Sequence, residues 1–156
     1  MSQIHRSYRS MSPDETADLA RRIGLGLRPG HVLLLDGPVG AGKTHFARSL
    51  IQSLLSVPED VPSPTFTLVQ TYDGTHGEIW HSDLYRLSSP DEVIELGLEE
   101  AFETAIVLVE WPDRLGDLAP GDALHLTFVP DAEDGRRITA HGPAAWDDIL
   151  PGDTDA

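Results

Sequence analysis

The chain contains no cysteine, which removes disulfides, zinc–thiolate sites and thiol nucleophiles together. It is also poor in basic residues, with 11 Lys and Arg against 26 Asp and Glu and a formal net charge of -15. A field of that sign repels nucleic acid and anionic membrane, so any RNA it serves is expected to be held by a partner. No apolar run approaches the ~20 residues of a membrane span, and Met1 to Ser10 lacks the apolar core of a signal peptide. The cytoplasm is therefore the expected compartment. The seven histidines have no H-E-x-x-H or similar spacing, so no protein-built zinc site is expected. No internal repeat is visible, and 156 residues make one domain, long enough for a sheet with helices on both faces.

What is present is a phosphate-binding signature. Gly37-Pro38-Val39-Gly40-Ala41-Gly42-Lys43-Thr44 fits G-x-x-x-x-G-K-[ST]. It lies between the apolar run Val32 to Leu35 and a helical pattern carrying Phe46, Leu50, Ile51 and Leu54 on one face. In a strand–loop–helix context the glycines let backbone N–H groups turn onto phosphate oxygens, and the helix N-terminus adds partial positive charge. Lys43 then reaches the β- and γ-phosphates, and the Thr44 hydroxyl completes a Mg²⁺ shell. The chain is expected to bind a nucleoside triphosphate. It has no N-K-x-D sequence for guanine, and Asp113-Arg114-Leu115-Gly116 matches D-x-x-G only by chance. ATP is favoured over GTP.

The remaining chain punctuates itself. Ser12-Pro13-Asp14-Glu15 carries an N-cap, a first-turn proline and a capping-box glutamate, opening a helix with Ala20, Ile23 and Leu27 on one face and ended by Arg28-Pro29-Gly30. Val57 to Pro64, with three prolines, reads as a loop. Phe66 to Tyr72 and Glu78 to Asp83 flank Asp73-Gly74-Thr75-His76-Gly77 as an antiparallel hairpin. Ser89-Pro90-Asp91-Glu92 opens a short helix closed by Gly97, and Ala105 to Val109 is a second buried strand, ending in Glu110. Leu124 to Phe128 and Arg136 to Ala140 form a second antiparallel pair. Residues 1–142 are read as the folded domain, and 143–156 as an acidic tail with one helical turn around Trp146, then fraying.

A phosphate loop does not by itself fix the reaction. Glu110 stands where a Walker B acid belongs, because adjacent parallel strands end on one edge of the sheet; equally, a buried strand can end in a solvated acid. Asp83, within His81-Ser82-Asp83-Leu84-Tyr85-Arg86, is placed to orient the attacking water or to hold magnesium indirectly through its ligands, or alternatively to pair with Arg86. His81 reads as packed or capping rather than basic. In Ser63-Pro64-Thr65-Phe66 the threonine is a candidate contact for the γ-phosphate or its Mg²⁺, the other reading being a proline turn into a strand. Trp111 either packs against the site or is a core or rim aromatic.

Four motifs in this order, Gly37 to Thr44, Ser63-Pro64-Thr65-Phe66-Thr67-Leu68-Val69, His81 to Arg86 and Val109-Glu110-Trp111-Pro112, resemble the TsaE (YjeE) proteins. The similarity runs from about Pro13 to the Arg136-Arg137 strand. Pro38-Val39 replaces the common Asp-Leu of the loop, and His45 follows Thr44 where Thr or Ser is frequent. The resemblance implies a single-domain P-loop NTPase, three αβα layers around a mostly parallel sheet with antiparallel hairpin additions. It implies an ATPase that is slow alone and stimulated by partners, serving N6-threonylcarbamoylation of adenosine 37 in tRNAs reading ANN codons. A TsaD and TsaB pair would hold the tRNA, with no membrane involved. By the same resemblance Gly37, Gly40, Ala41, Gly42, Lys43, Thr44 and His45 bind the nucleotide, and Thr44 and Glu110 bind magnesium. Lys43, Thr65, Asp83 and Glu110 serve hydrolysis, with Trp111 and Asp113 beside the nucleotide. The adenine is expected near Met11, Pro13, Thr16 and Arg136. Two other functions compete: a small-molecule P-loop kinase, against which stands the lack of an Arg-rich lid, and a nucleotide-dependent binding module whose hydrolysis is incidental.

Overall fold

The computed structural model describes residues 3–38, 41–57, 61, 69–85, 87, 91–131 and 135–152. Seven strands form one sheet: β1 (Gln3–Ser10), β2 (Val32–Asp36), β3 (Val69–Gly74), β4 (Gly77–Asp83), β5 (Ile106–Glu110), β6 (Leu124–Asp131) and β7 (Gly135–Pro143), in the order β1-β7-β6-β2-β5-β4-β3. The four central strands, β4, β5, β2 and β6, run parallel. Antiparallel β3 extends one side, and β7 and β1 the other. The fold is a mixed α/β single domain.

Both faces of the central strands are covered. Leu33, Leu35, Ile106 and Leu108 face one core, with α1 (Pro13–Gly24) and α2 (Lys43–Leu54). Their neighbours Val32, Leu34, Val107 and Val109 face the other, with α3 (Asp91–Glu95), α4 (Leu98–Thr104) and the helical turns of Pro112–Leu118. This is why both runs are continuously apolar: alternate residues enter different cores, and neither side meets water.

Helix α1 starts as its sequence dictates. Extended Ser12 accepts the Glu15 N–H at 3.2 Å, and Pro13 occupies the first turn. Thr16, Leu19, Ala20 and Ile23 form its buried face. The helix stops at Gly24, earlier than the periodicity through Leu27 suggests; Gly26 and Leu27 close tight turns onto Ile23 and Gly24, and Leu27 still enters the core. Gly97 closes α3 with a left-handed backbone (φ 82°) and also starts α4, a helix absent from the sequence expectations that buries Leu98, Ala101 and Phe102. The β3–β4 turn is tighter than expected, pairing Gly74 with Gly77.

Strand β1 is also an addition. It is a polar edge strand whose Tyr8 is buried and donates its hydroxyl to the Pro151 carbonyl at 2.7 Å, while Arg6 pairs with Asp147. The expected turn around Trp146 forms at Ala144–Asp148; Trp146 and Leu150 are buried, so the chain packs onto the domain through Leu150. Residues 153–156, the expected Ser63–Thr67 loop with Thr65, the Phe66–Leu68 start of the hairpin, Arg86 and the Ser89-Pro90 cap lie outside the described residues. Among the described residues no helix is long and apolar enough to cross a membrane.

Candidate functional site

Topology creates the site. The parallel register sets Leu35 beside Glu110 and Glu110 beside Asp83, so the ends of β2, β5 and β4 share one edge. Along β4 and β5, His81, Asp83 and Glu110 continue the alternation of Ile79, Ile106 and Leu108, which face α1 and α2. Helix α2 begins on that side with Lys43 and Thr44.

The connection from β2 to α2 depends on glycine at two described positions; Val39 and Gly40 lie outside them. Gly37 has φ 145°, and a Cβ there would come within 2.5 Å of the Phe128 carbonyl oxygen on β6. Gly42, at φ 101°, starts α2, and no side chain caps that helix. Its first N–H groups are therefore available to an anion, reinforced by the helix dipole. Gly37→Ala combines left-handed strain with a backbone collision, and is expected to cost about 2–4 kcal/mol. Thermal unfolding should show a loss of roughly 5–15 °C; an unchanged midpoint would show that β6 yields freely.

Lys43 is the chain's single lysine. It is 4% exposed, its Nζ donating to the Gly37 carbonyl at 2.5 Å and lying 3.6 Å over the Trp111 ring. Burial pushes its ammonium below the usual range, against the opposing charges of Glu110, Asp36, Asp83 and Asp113. Trp111 is held over it by an unusual backbone, φ 60° and ψ 56°, the one non-glycine residue with positive φ among those described. Such a conformation costs on the order of 1–3 kcal/mol and persists only when its surroundings enforce it. Here Tyr85 packs against the indole, with ring centroids 4.9 Å apart.

Thr44 Oγ1 donates to Glu110 Oε1 at 2.7 Å, and His81 Nε2 donates to Glu110 Oε2 at 2.8 Å. Burial works against the Glu110 charge, yet the hydrogen bonds from His81 and Thr44 and the charges of His81 and Lys43 outweigh it and hold this carboxyl below the usual range. Asp83 moves the opposite way. Burial pushes it up, aided by the Glu110 charge and resisted by the Tyr85 N–H, which it accepts at 3.0 Å, and by His81 and Lys43. Two carboxyls on adjacent strands thus have divided tendencies, one favouring the ion and the other the proton.

The residues expected around the base adjoin the loop from the β7 and α1 side. Arg136 Nε donates to the Ala41 carbonyl at 3.2 Å, and His45 Nε2 donates to the Pro13 carbonyl at 2.9 Å, tying α2 to the start of α1. Met11 is half exposed, while Thr16 is turned inward, its hydroxyl 2.6 Å from that of Ser10. Asp113 enters through its charge on Lys43.

Two contributors escaped the sequence reading. Asp36 ends β2 and accepts the Gly37 N–H at 2.9 Å. His81, expected to be a packing residue, holds Glu110; its alternation with Ile79 and Asp83 was the available signal. Among the described residues no three His, Asp or Glu side chains form a self-contained metal cage. The donors on hand are the Thr44 hydroxyl and the Glu110 carboxylate, hard oxygens that suit Mg²⁺ when phosphates complete its shell. The site offers helix N–H groups and one ammonium to an anion, oxygens to a hard cation, and a partly buried acid, Asp83, beside both.

Comparison with known proteins places this geometry in context. A family model described as threonylcarbamoyl adenosine biosynthesis protein TsaE matches residues 10–138. The tRNA threonylcarbamoyladenosine biosynthesis protein TsaE of Bacillus subtilis is 35% identical over 133 residues, covering 85% of this chain and 82% of that protein. Its Rickettsia bellii counterpart is 43% identical over 109 residues, 70% of this chain and 76% of that protein. The Rickettsia conorii one is 44% identical over 107 residues, spanning 69% of this chain and 61% of its own length. The crystal structure of Bacillus subtilis YdiB superposes with a TM-score of 0.80 at 28% identity, covering 96% of this chain and 93% of that one. With a family match over most of its length and the same name on its relatives, the chain belongs to the TsaE family, implicated in tRNA threonylcarbamoyladenosine biosynthesis.

Proposed function

We propose that this protein is the ATP-binding and ATP-hydrolysing subunit of the machinery that installs N6-threonylcarbamoyl on adenosine 37 of tRNAs reading ANN codons, with P-loop NTPase chemistry. It acts in the cytoplasm with a TsaD and TsaB pair. The observation that carries the reading is the convergence of Lys43, Thr44 and Glu110 where β2, α2 and β5 meet, Thr44 and Glu110 being 2.7 Å apart.

In this reading the α2 N-terminus and the glycine loop receive the phosphates, and Lys43 exchanges the Gly37 carbonyl for phosphate oxygens. That exchange releases an ammonium whose charge burial disfavours into contact with an opposite charge, so substrate binding relieves the cost. The donor set fits magnesium: Thr44 and Glu110 would hold it, and the bound ion would neutralise charge on the transferring phosphoryl group. Asp83, whose carboxyl burial makes more basic, accepts a hydrogen bond from the attacking water. Trp111 covers Lys43 on the open side and limits water there. Thr65, outside the described residues, is the further candidate contact for the γ-phosphate or its Mg²⁺. The net charge of -15 agrees with a subunit that leaves tRNA to its partners.

Calorimetric titration tests the first step. ATP should bind in Mg²⁺ buffer and GTP more weakly. Absence of ATP binding, or a preference for GTP, would overturn the proposal.

A further inference from the structure

His81 has a part in the site that its packing does not require. The imidazole is 1% exposed on β4 and gives one hydrogen bond, from Nε2 to Glu110 Oε2 at 2.8 Å; Glu110 is itself 2% exposed. Its Nδ1 is buried and has no hydrogen-bond partner among the described residues. A buried polar atom without a partner is costly, and an apolar side chain of similar volume would fill the position without that cost. The reason for an imidazole therefore lies on the Nε2 side.

On that side the two oxygens of Glu110 are held differently. Oε1 accepts from Thr44 Oγ1 and Oε2 from His81, which together fix both the direction and the rotation of the carboxylate. Thr44 is itself a candidate metal ligand: its hydroxyl can keep donating to Oε1 while a lone pair meets the cation, so that bond moves with the ion, whereas the His81 bond comes from β4 in the sheet interior and does not depend on the ion's position. We infer that His81 is a positioning residue that aims the Glu110 carboxylate at the metal, so that the benefit of magnesium to nucleotide binding depends on the His81 Nε2–H. This inference rests on the magnesium–ATP reading above. Loss of such a partner to a ligating group generally weakens metal binding about 10–100-fold.

The experiment compares the parent with His81→Leu and His81→Met, which remove the donor, and with His81→Gln, which restores an N–H of similar reach. ATP affinity is measured calorimetrically in EDTA and across a Mg²⁺ titration, with circular dichroism reporting the fold of each variant. The expected result is unchanged affinity in EDTA for all folded variants. The Mg²⁺ concentration giving half of the affinity gain should rise about 10-fold or more in the apolar variants, and return most of the way in His81→Gln. If a folded apolar variant keeps the parent's Mg²⁺ dependence, or if His81→Gln folds and behaves like the apolar variants, the inference is overturned while the nucleotide reading stands. If the parent itself gains nothing from Mg²⁺, the metal reading fails and takes this inference with it.

Discussion

Lys43→Ala is expected to weaken ATP binding about 100-fold while leaving the fold intact. Hydrogen bonds from a charged donor contribute roughly 1.5–3 kcal/mol, and each 1.4 kcal/mol is tenfold, so losing the ammonium at two phosphates reaches that range even if the amides keep their contacts. No other lysine exists in the chain to substitute for it. The fold should survive, because the present partners of Lys43 are the Gly37 carbonyl in the loop and the face of Trp111, a partly buried ring that packs at the margin of the second core and keeps those contacts without the lysine. Calorimetry with circular dichroism measures both. A folded variant that binds ATP as tightly as the parent would show that the glycine loop is not a phosphate site.

Asp83→Asn and Glu110→Gln are expected to divide binding from turnover. Each keeps the shape and deletes a charge. Glu110→Gln still offers Thr44 an acceptor through its amide oxygen and can donate its amide N–H to His81 once that imidazole carries its proton on Nδ1, and Asp83→Asn can still accept from the Tyr85 N–H, so the surroundings should hold. ATP affinity should change less than about 10-fold. Hydrolysis measured with the TsaD and TsaB pair present should fall by roughly 100- to 1,000-fold in each, the usual consequence of removing one preorganised electrostatic group. Full rates in both variants would make these acids structural, as position alone also allowed.

How far the sequence reaches can be judged from particular residues. Val32 to Leu35 and Ala105 to Val109 are readable as buried strands because a strand covered on both faces has no polar positions to interrupt it. The start of α1 is readable because Ser12, Pro13 and Glu15 act within four residues of one another. β1 is not, since an edge strand with one open face can be almost entirely polar, and its place beside β7 is set by pairing across more than a hundred residues. α4 is too short, and too acidic in its first turn, for periodicity to reveal it.

The same division runs through the site. Lys43 and Thr44 are local to a motif, and Glu110 follows from the rule that parallel strands end together. The contact of His81 with Glu110 arises from the β4–β5 register, and the Trp111 ring reaches Lys43 only through a left-handed backbone that no propensity favours in tryptophan. Sequence supplies the groups that local chemistry demands. It does not supply those recruited by long-range pairing.

The most direct test of the account is steady-state phosphate release from ATP by the parent protein, alone and with the TsaD and TsaB pair. A partner that prefers the ATP-bound form must, by linkage, tighten ATP binding by the same factor, and ordering of groups such as Asp83 around the nucleotide couples that preference to chemistry. The account predicts slow release alone and a rise of at least about 10-fold with the pair, abolished in Lys43→Ala. Equal rates with and without the pair, or stimulated release that survives Lys43→Ala, would contradict it.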